Sequence, residues 1–188
     1  MTAAAAASSP PTTMRVVPVP TPDSDESAGR RTVSRAMWIG LWVWPAYTLL
    51  DVYMCWVAYP DAPFRVFVLY RIVVELAFVG VYRASLRGTM RLDRLFLLLN
   101  ATFVAAAVGI ALMAVHLGGI RSPYMHGISI VALVRTALVP TDWRKGAPTY
   151  TGIALAFPVV MGIVAALSPA SRAEWLNAPS LIFFSTHY

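Results

Sequence analysis

Long apolar runs separated by short polar segments dominate the pattern of this chain. Residues 95–117 are nearly free of charge over about 23 positions, enough at 1.5 Å per residue to cross a hydrocarbon layer roughly 30 Å thick. A glycine-rich turn containing Pro123 follows, and the apolar run 125–139 then leads back. The pattern therefore predicts a helical hairpin within a membrane.

Three further apolar runs predict additional membrane helices, at residues 37–58, 64–82 and 150–167. The first two are joined by a very short connection, so we expect them to lie antiparallel and in contact, with a kink at Pro45 in the first. The final run, 181–184, is too short to cross and is interpreted as the start of a sixth span of a longer protein. The expected fold is an all-α polytopic membrane helix bundle with five complete spans and the start of a sixth.

The first 36 residues have a different composition. They are rich in Ala, Ser, Thr and Pro and contain an acidic run at 23–26, a composition that does not bury a core. They predict a disordered cytoplasmic tail, followed by a transmembrane domain over residues 37–188.

Composition and charge agree with a membrane protein. Hydrophobic residues make up 58% of the chain and charged residues 13%, well below the charged fraction of roughly a quarter in soluble domains. The net charge of +6 is spread as one basic cluster per connecting segment, which argues against a nucleic-acid surface. The same distribution predicts a cytoplasmic N-terminus and a multi-pass protein of the inner (plasma) membrane.

Four ionisable residues within the apolar runs are candidate functional positions, because charge at membrane depth is costly. Asp51 and Arg71 are expected to face each other, and Arg135 to reach Glu75 if their helices touch. Three hypotheses are possible for these four residues. They form structural pairs, with Arg135 extending to the inner membrane surface; they form a two-state polar network that carries a signal; or they form a path for protons or ions.

The turn between residues 116 and 127 is the second candidate site. His116 and His126 flank it and are open to three interpretations: polar boundary residues, ligands of a metal or haem, or reporters of external pH. The lone Cys55 is expected to be a buried apolar residue. We predict no catalytic residue, cofactor or bound metal, and the candidate signal positions of the turn are His116, Gly118, Gly119, Ser122, Pro123, Tyr124 and His126.

The segment from Gly118 to Gly127 resembles a Gly-Gly-x-x-Ser-Pro-Tyr-Tyr-x-Gly stretch. An apolar run and Trp143-Arg144 follow this segment, and they are part of the resemblance. That stretch occurs in the six-helix N-terminal membrane regions of certain bacterial sensor histidine kinases and adenylate or guanylate cyclases. Leu50-Asp51 and the run from Phe64 to Val74 are similar to the first and second helices of that group. The second Tyr of the pair is replaced here by Met125.

The resemblance implies a membrane signal-input domain, with a histidine kinase as the first expectation for the output and a nucleotide cyclase as the alternative. It also implies a homodimer, since such output domains are dimeric, and it supplies no catalytic residue. The expected partners are the lipid bilayer and a small or membrane-soluble stimulus. Two other classes remain as alternatives: a small stand-alone transporter or channel, and a membrane-embedded enzyme, for which no nucleophile or metal motif is found.

Overall fold

The computed structural model describes residues 22–175 and Thr186, without the side chains of residues 22–25 and 174. This part of the chain is all-α and contains no strand, as predicted. Its helices are α1 (Pro22–Ala46), α2 (Thr48–Tyr53), α3 (Phe64–Arg87), α4 (Leu92–Val115), α5 (Met125–Leu138), α6 (Trp143–Leu167) and α7 (Pro169–Trp175). A π-helical turn, Met54–Ala58, extends α2, and a 3-10 turn, Gly119–Arg121, lies between α4 and α5. The predicted start of a sixth span at 181–184 lies outside the described residues.

Helix α1 begins well before the predicted first span. The tail predicted through residue 36 is therefore corrected for residues 22–36, which are helical. Arg30 pairs with Glu26 one turn earlier at 2.7 Å. Val33 and Met37 are fully buried at helical spacing, so tertiary packing holds this segment in a helix despite its polar composition.

Helix α1 ends at Ala46, one residue after Pro45, and α2 begins at Thr48, so the helix is interrupted close to the position of the predicted kink. Proline has no amide hydrogen and its ring crowds the preceding turn, so a regular helix is interrupted there. The π-helical turn that follows places Met54 and Cys55 in the interior. Cys55 is a buried free cysteine, as expected.

Helix α4 is the centre of the bundle. It packs against α1, α3, α5 and α6, and Leu95, Leu99, Ala107 and Ala111 along it are completely buried. Small residues on this helix let its neighbours approach closely. Helices α1 and α3 also pack along each other, where a Cβ on Gly40 would overlap the Phe78 ring. The predicted contact between the first and second apolar runs is confirmed.

Two helices are long and apolar enough to cross a membrane: Leu92–Val115 and Trp143–Leu167. Helix α3 has the length but carries five charged residues, and α5 is apolar but only 14 residues long. Among the described residues, two of the five predicted spans therefore correspond to helices that are both long enough and apolar enough to cross a membrane. Large apolar side chains exposed on the surface, including Leu49 at 78% and Leu167 at 81%, also suit association with a membrane.

Candidate functional site

A buried ion pair joins α2 to α3. The Arg71 guanidinium donates from Nε to Asp51 Oδ2 at 2.7 Å and from Nη2 to Asp51 Oδ1 at 2.9 Å. Both side chains are inside the protein, with 7% exposure for Arg71 and none for Asp51. Two parallel bonds between a guanidinium and a carboxylate fix orientation as well as charge. The expectation that these two residues face each other is confirmed, while their part in signalling stays a prediction.

Trp44 of α1 supports the same arginine from two directions. Its indole ring lies 4.4 Å from the Arg71 guanidinium carbon, and its Nε1 donates to the Arg71 backbone carbonyl at 3.0 Å. An indole face attracts a cation through its negative quadrupole. Helix α1 therefore holds the position of the ion pair although the break at Pro45 separates it from α2.

Tyr124, at the end of the turn between α4 and α5, completes this cluster. Its phenol donates a hydrogen bond to Asp51 Oδ1, and its ring packs 6.2 Å from that of Phe67. Burial, together with the bond to Asp51, raises the pKa of Tyr124 above its usual value, so the phenol remains a proton donor. We call Asp51, Arg71 and Tyr124 the polar cluster.

The turn itself is held by its glycines and Ser122. Gly118 and Gly119 have φ of 90° and 59°, a left-handed conformation that side-chain-bearing residues rarely adopt. A Cβ on Gly119 would also overlap the indole of Trp175, which α7 packs against the turn. The buried Ser122 hydroxyl accepts from the Tyr124 amide at 3.2 Å. Tyr124 is thus presented to Asp51 by a turn with little freedom.

The other predicted turn residues lie around this arrangement. Pro123 and His126 are on the wall of a cavity, whereas His116 follows α4 with its ring 6.1 Å from that of Phe67. Within residues 22–175, no three metal-binding side chains come together.

Arg135 occupies a separate polar site and has 1% exposure. Its Nη2 donates to Asn100 Oδ1 at 3.1 Å. Its Nη1 contacts the Val139 carbonyl at 3.0 Å, Thr141 Oγ1 at 2.8 Å and the Tyr150 hydroxyl at 3.1 Å. All these partners are neutral, so the charge is dispersed over dipoles.

Glu75 was expected to pair with Arg135 if their helices touch, and this condition is not met. No ion pair joins the two residues within the described part of the chain. Helix α5 packs on α4 and α6, and the Arg135 side chain bonds to groups of those helices instead. Glu75 is half-buried, and its Oε2 is enclosed without a hydrogen-bond partner in this part of the chain. The predicted four-residue network is therefore an ion pair, an isolated acid and a separately bound arginine.

A cavity of about 220 Å³ lies between α1, α2 and α5, with α4 at its base. Its wall is almost entirely apolar and includes Val43, Leu50, Phe103, Ile130 and Val134. Arg71 and Tyr124 of the polar cluster also line it. We call it the side cavity.

Sequence reasoning missed several residues of these sites. It gave Tyr124 as a candidate signal position without a partner, and it assigned Trp44, Tyr150 and Trp175 no contact with the buried charges or the turn. A signal for Tyr124 was available, since a buried acid needs more than one donor and the turn supplies a hydroxyl at one end. The Arg135 partners come from three elements, and no spacing rule links them.

Comparisons with protein-family models, with curated proteins and with solved structures find no match for this chain.

Proposed function

We propose that this chain is the membrane-embedded signal-input domain of a bacterial signal-transduction protein. A sensor histidine kinase is the first candidate for the whole protein, and a membrane adenylate or guanylate cyclase is the alternative. The observation that carries the proposal is the polar cluster, in which Tyr124 of the turn binds the Asp51–Arg71 pair between two helices. A displacement of the turn thereby acts directly on the packing of α2 against α3.

Five membrane spans fit this function. In this arrangement residues 37–58, 64–82, 95–117, 125–139 and 150–167 cross the inner membrane, with the N-terminus in the cytoplasm. The ion pair supports α3 as a span, because pairing Arg71 with Asp51 removes much of the cost of charge at that depth. The remaining arginines of α3 are near its ends: Arg65, Arg83 and Arg87.

Charge in the connecting segments supports the orientation. Arg83, Arg87, Arg91 and Arg94 lie around the connection between α3 and α4, and Arg144 and Lys145 at the start of α6. These clusters would both be cytoplasmic, which agrees with the preference of basic residues for that side. The turn 116–124 would then lie at the outer surface.

The arrangement is tested with reporters fused within the intact chain after residues 61, 89, 121 and 144. Alkaline phosphatase is active only outside the cytoplasm and a fluorescent protein fused in parallel only inside. We expect the external reporter to be active after 61 and 121 and the internal one after 89 and 144. The same reporter being active after 61 and 89 would contradict a spanning α3.

The proposed mechanism is a two-state rearrangement of the polar cluster. In one state Tyr124 donates to Asp51, and in the other the turn releases it, leaving Asp51 bound to Arg71 alone. Because the pair is desolvated, loss of one donor changes the balance of packing between α2 and α3. The helices that follow carry that change to the cytoplasmic side of the membrane, where a homodimeric output domain would respond.

The test uses membranes that contain the complete gene product, assayed both for autophosphorylation from ATP and for cyclic nucleotide formation. Tyr124→Phe and Arg71→Leu should change the basal output several-fold per molecule of membrane-inserted protein, with the amount of inserted protein measured by immunoblot. Arg65→Leu, which removes an exposed arginine from the same helix, is the matched control. Unaltered output in both cluster variants would remove the cluster from the mechanism. Solute flux in vesicles without either activity would favour a transporter.

A further inference from the structure

The side cavity is bounded by residues that the proposed function places at membrane depth. Val43, Leu50 and Ile130 on its wall are exposed, so its mouth faces outward between α1–α2 and α5. Phe103 and Ala106 of α4 form a buried base. A cavity with so apolar a wall favours an apolar occupant over water.

One polar group at the cavity has hydrogen-bonding capacity that the described residues do not use. Arg71 lines the wall, and its Nε and Nη2 are both bound to Asp51. Its third nitrogen, Nη1, makes no hydrogen bond with any residue between 22 and 175, and it is not among the fully enclosed atoms that lack a partner. The Arg71 side chain has 7% exposure and lines this apolar cavity, so Nη1 is the guanidinium nitrogen left to donate to an occupant.

The charge of the polar cluster decides which kind of ligand group can accept a hydrogen bond from that donor. Asp51 already neutralises Arg71, and Tyr124 adds a neutral phenol. A ligand carboxylate would introduce an unbalanced negative charge into an apolar cavity, at a high desolvation cost. An uncharged oxygen such as a ketone or ester carbonyl accepts the hydrogen bond without that cost.

The volume limits the part of a ligand that fits. An apolar cavity of roughly 150 Å³ binds benzene, and the side cavity at about 220 Å³ is half as large again. By that proportion it accommodates about nine non-hydrogen atoms, which corresponds to a ring with a short substituent or a short chain. A longer tail can continue through the mouth.

We infer that the side cavity binds an uncharged lipophilic molecule whose carbonyl or ester oxygen accepts a hydrogen bond from Arg71 Nη1. Pro123 and Tyr124 line the same cavity, so an occupant would contact the turn as well as the ion pair. The role of this molecule as a stimulus rests on the proposed function. Its binding rests only on the cavity and can be measured without any signalling output.

The probe is acetophenone, a small aryl ketone that attaches covalently to neighbouring side chains under ultraviolet light. The full chain in phosphatidylcholine nanodiscs is labelled and the attachment sites are mapped by mass spectrometry. We expect labels on α5 and α1 at the cavity wall, with few on the exposed positions Leu69 and Leu76 of α3. Labels spread evenly over exposed apolar residues of all helices would overturn the inference.

Competition tests the carbonyl. Octan-2-one, nonane and heptanoate have equal numbers of non-hydrogen atoms and differ in the group presented to Arg71. Octan-2-one should suppress cavity labelling at a concentration roughly tenfold lower than either of the others. Arg71→Lys keeps a cation beside Asp51 but has one nitrogen in place of the guanidinium fork, and that nitrogen ends short of the Nη1 position, so the advantage of octan-2-one over nonane should fall. An equal advantage in this variant would exclude Arg71 as the donor.

Filling the space tests the location. Val131→Phe should reduce cavity labelling about tenfold, whereas Val73→Phe, the same change at an exposed position of α3, should leave it unchanged. If Val131→Phe does not assemble, Ile130→Trp at the mouth tests the same point. Labelling that persists in a folded filling variant would contradict the inference.

The last arm identifies the source of the carbonyl. Nanodiscs of ester-linked phosphatidylcholine are compared with nanodiscs of the ether-linked lipid, which has no carbonyl. Lower labelling in the ester lipid would identify a lipid ester as the resident ligand, and equal labelling a free lipophilic molecule. Absence of cavity labelling in both lipids would overturn the inference while leaving the proposed signalling function open to its own assay.

Discussion

Tyr124 and Asp51 lie 73 residues apart in the sequence and share a buried hydrogen bond in the structure. Asp51 is fully buried and Tyr124 has 6% exposure, so water does not compete freely for either group. Because Asp51 also binds Arg71, this one contact joins α2, α3 and the turn before α5. Tyr124 therefore ties the turn to the buried interior of the bundle.

Replacing Tyr124 with Phe removes this hydrogen bond and leaves the ring in place. We expect the free energy of unfolding to fall by about 1.5–3 kcal/mol, the usual contribution of a hydrogen bond to a charged group. Chemical denaturation of the purified protein in detergent measures the change. Tyr53→Phe, at an exposed residue of α2, is the matched control, and equal losses in both variants would contradict the role of Tyr124.

The stability should also depend on alkaline pH through Tyr124. The pKa of this phenol is raised in the folded protein, so above a pH of about 10 the unfolded chain releases the proton while the folded protein keeps it. The contribution of Tyr124 to stability is therefore fully present below a pH of about 10. It decreases as the pH rises from that value towards the folded pKa. Denaturation midpoints of wild type and Tyr124→Phe should converge above pH 10, and parallel profiles would contradict this prediction.

Arg71 and Asp51 should depend on each other for stability. Arg71→Leu alone leaves a buried carboxylate without its cation, which costs about 3–5 kcal/mol. The double variant Asp51→Leu with Arg71→Leu should lose less than the sum of the single variants, with a coupling of at least about 1 kcal/mol. Unfolding free energies of the four proteins give this coupling. The control variant Arg65→Leu should change the free energy of unfolding by less than about 0.5 kcal/mol. If the loss in the double variant equals the sum of the two single losses, the interaction between Asp51 and Arg71 is contradicted.

Gly119 should tolerate no side chain for two separable reasons. Its positive φ costs about 1–2 kcal/mol for an alanine, and Trp175 occupies the place of the added Cβ. Gly118→Ala has the same conformational cost with open space around it, so it isolates the first reason. We expect the larger loss of thermal stability for Gly119→Ala and partial recovery on adding Trp175→Ala. Equal losses for the two alanine variants would contradict packing of Trp175 on the turn.

Glu75 and Arg135 should be energetically independent. Their combined substitution, Glu75→Gln with Arg135→Gln, should destabilise the protein by the sum of the two single changes to within about 0.5 kcal/mol. The physical reason is that, among the described residues, the hydrogen-bond partners of Arg135 are neutral groups of α4, α6 and the connection after α5. A coupling above about 1 kcal/mol in denaturation measurements would restore the ion pair expected from the sequence.

Some contacts were accessible to sequence reasoning because they depend on local geometry. A short connection forces neighbouring helices together, so the meeting of Asp51 with Arg71 followed from their similar distances to that connection. The break after Pro45 and the glycine turn at residues 118–119 follow from backbone chemistry alone. The helix of residues 22–36 was missed, since its stability comes from burying Val33 and Met37 against other helices rather than from its composition.

The sequence by itself determined that the chain is helical, where most of its helices lie and which charges are costly to bury, because periodicity, proline and glycine act within a few residues. Only the tertiary structure decided the partners of those charges. Tyr124 reaches Asp51, and Arg135 finds Asn100 and Tyr150 rather than Glu75. Such choices depend on which helix faces meet around α4, and that arrangement is set by packing of the whole bundle.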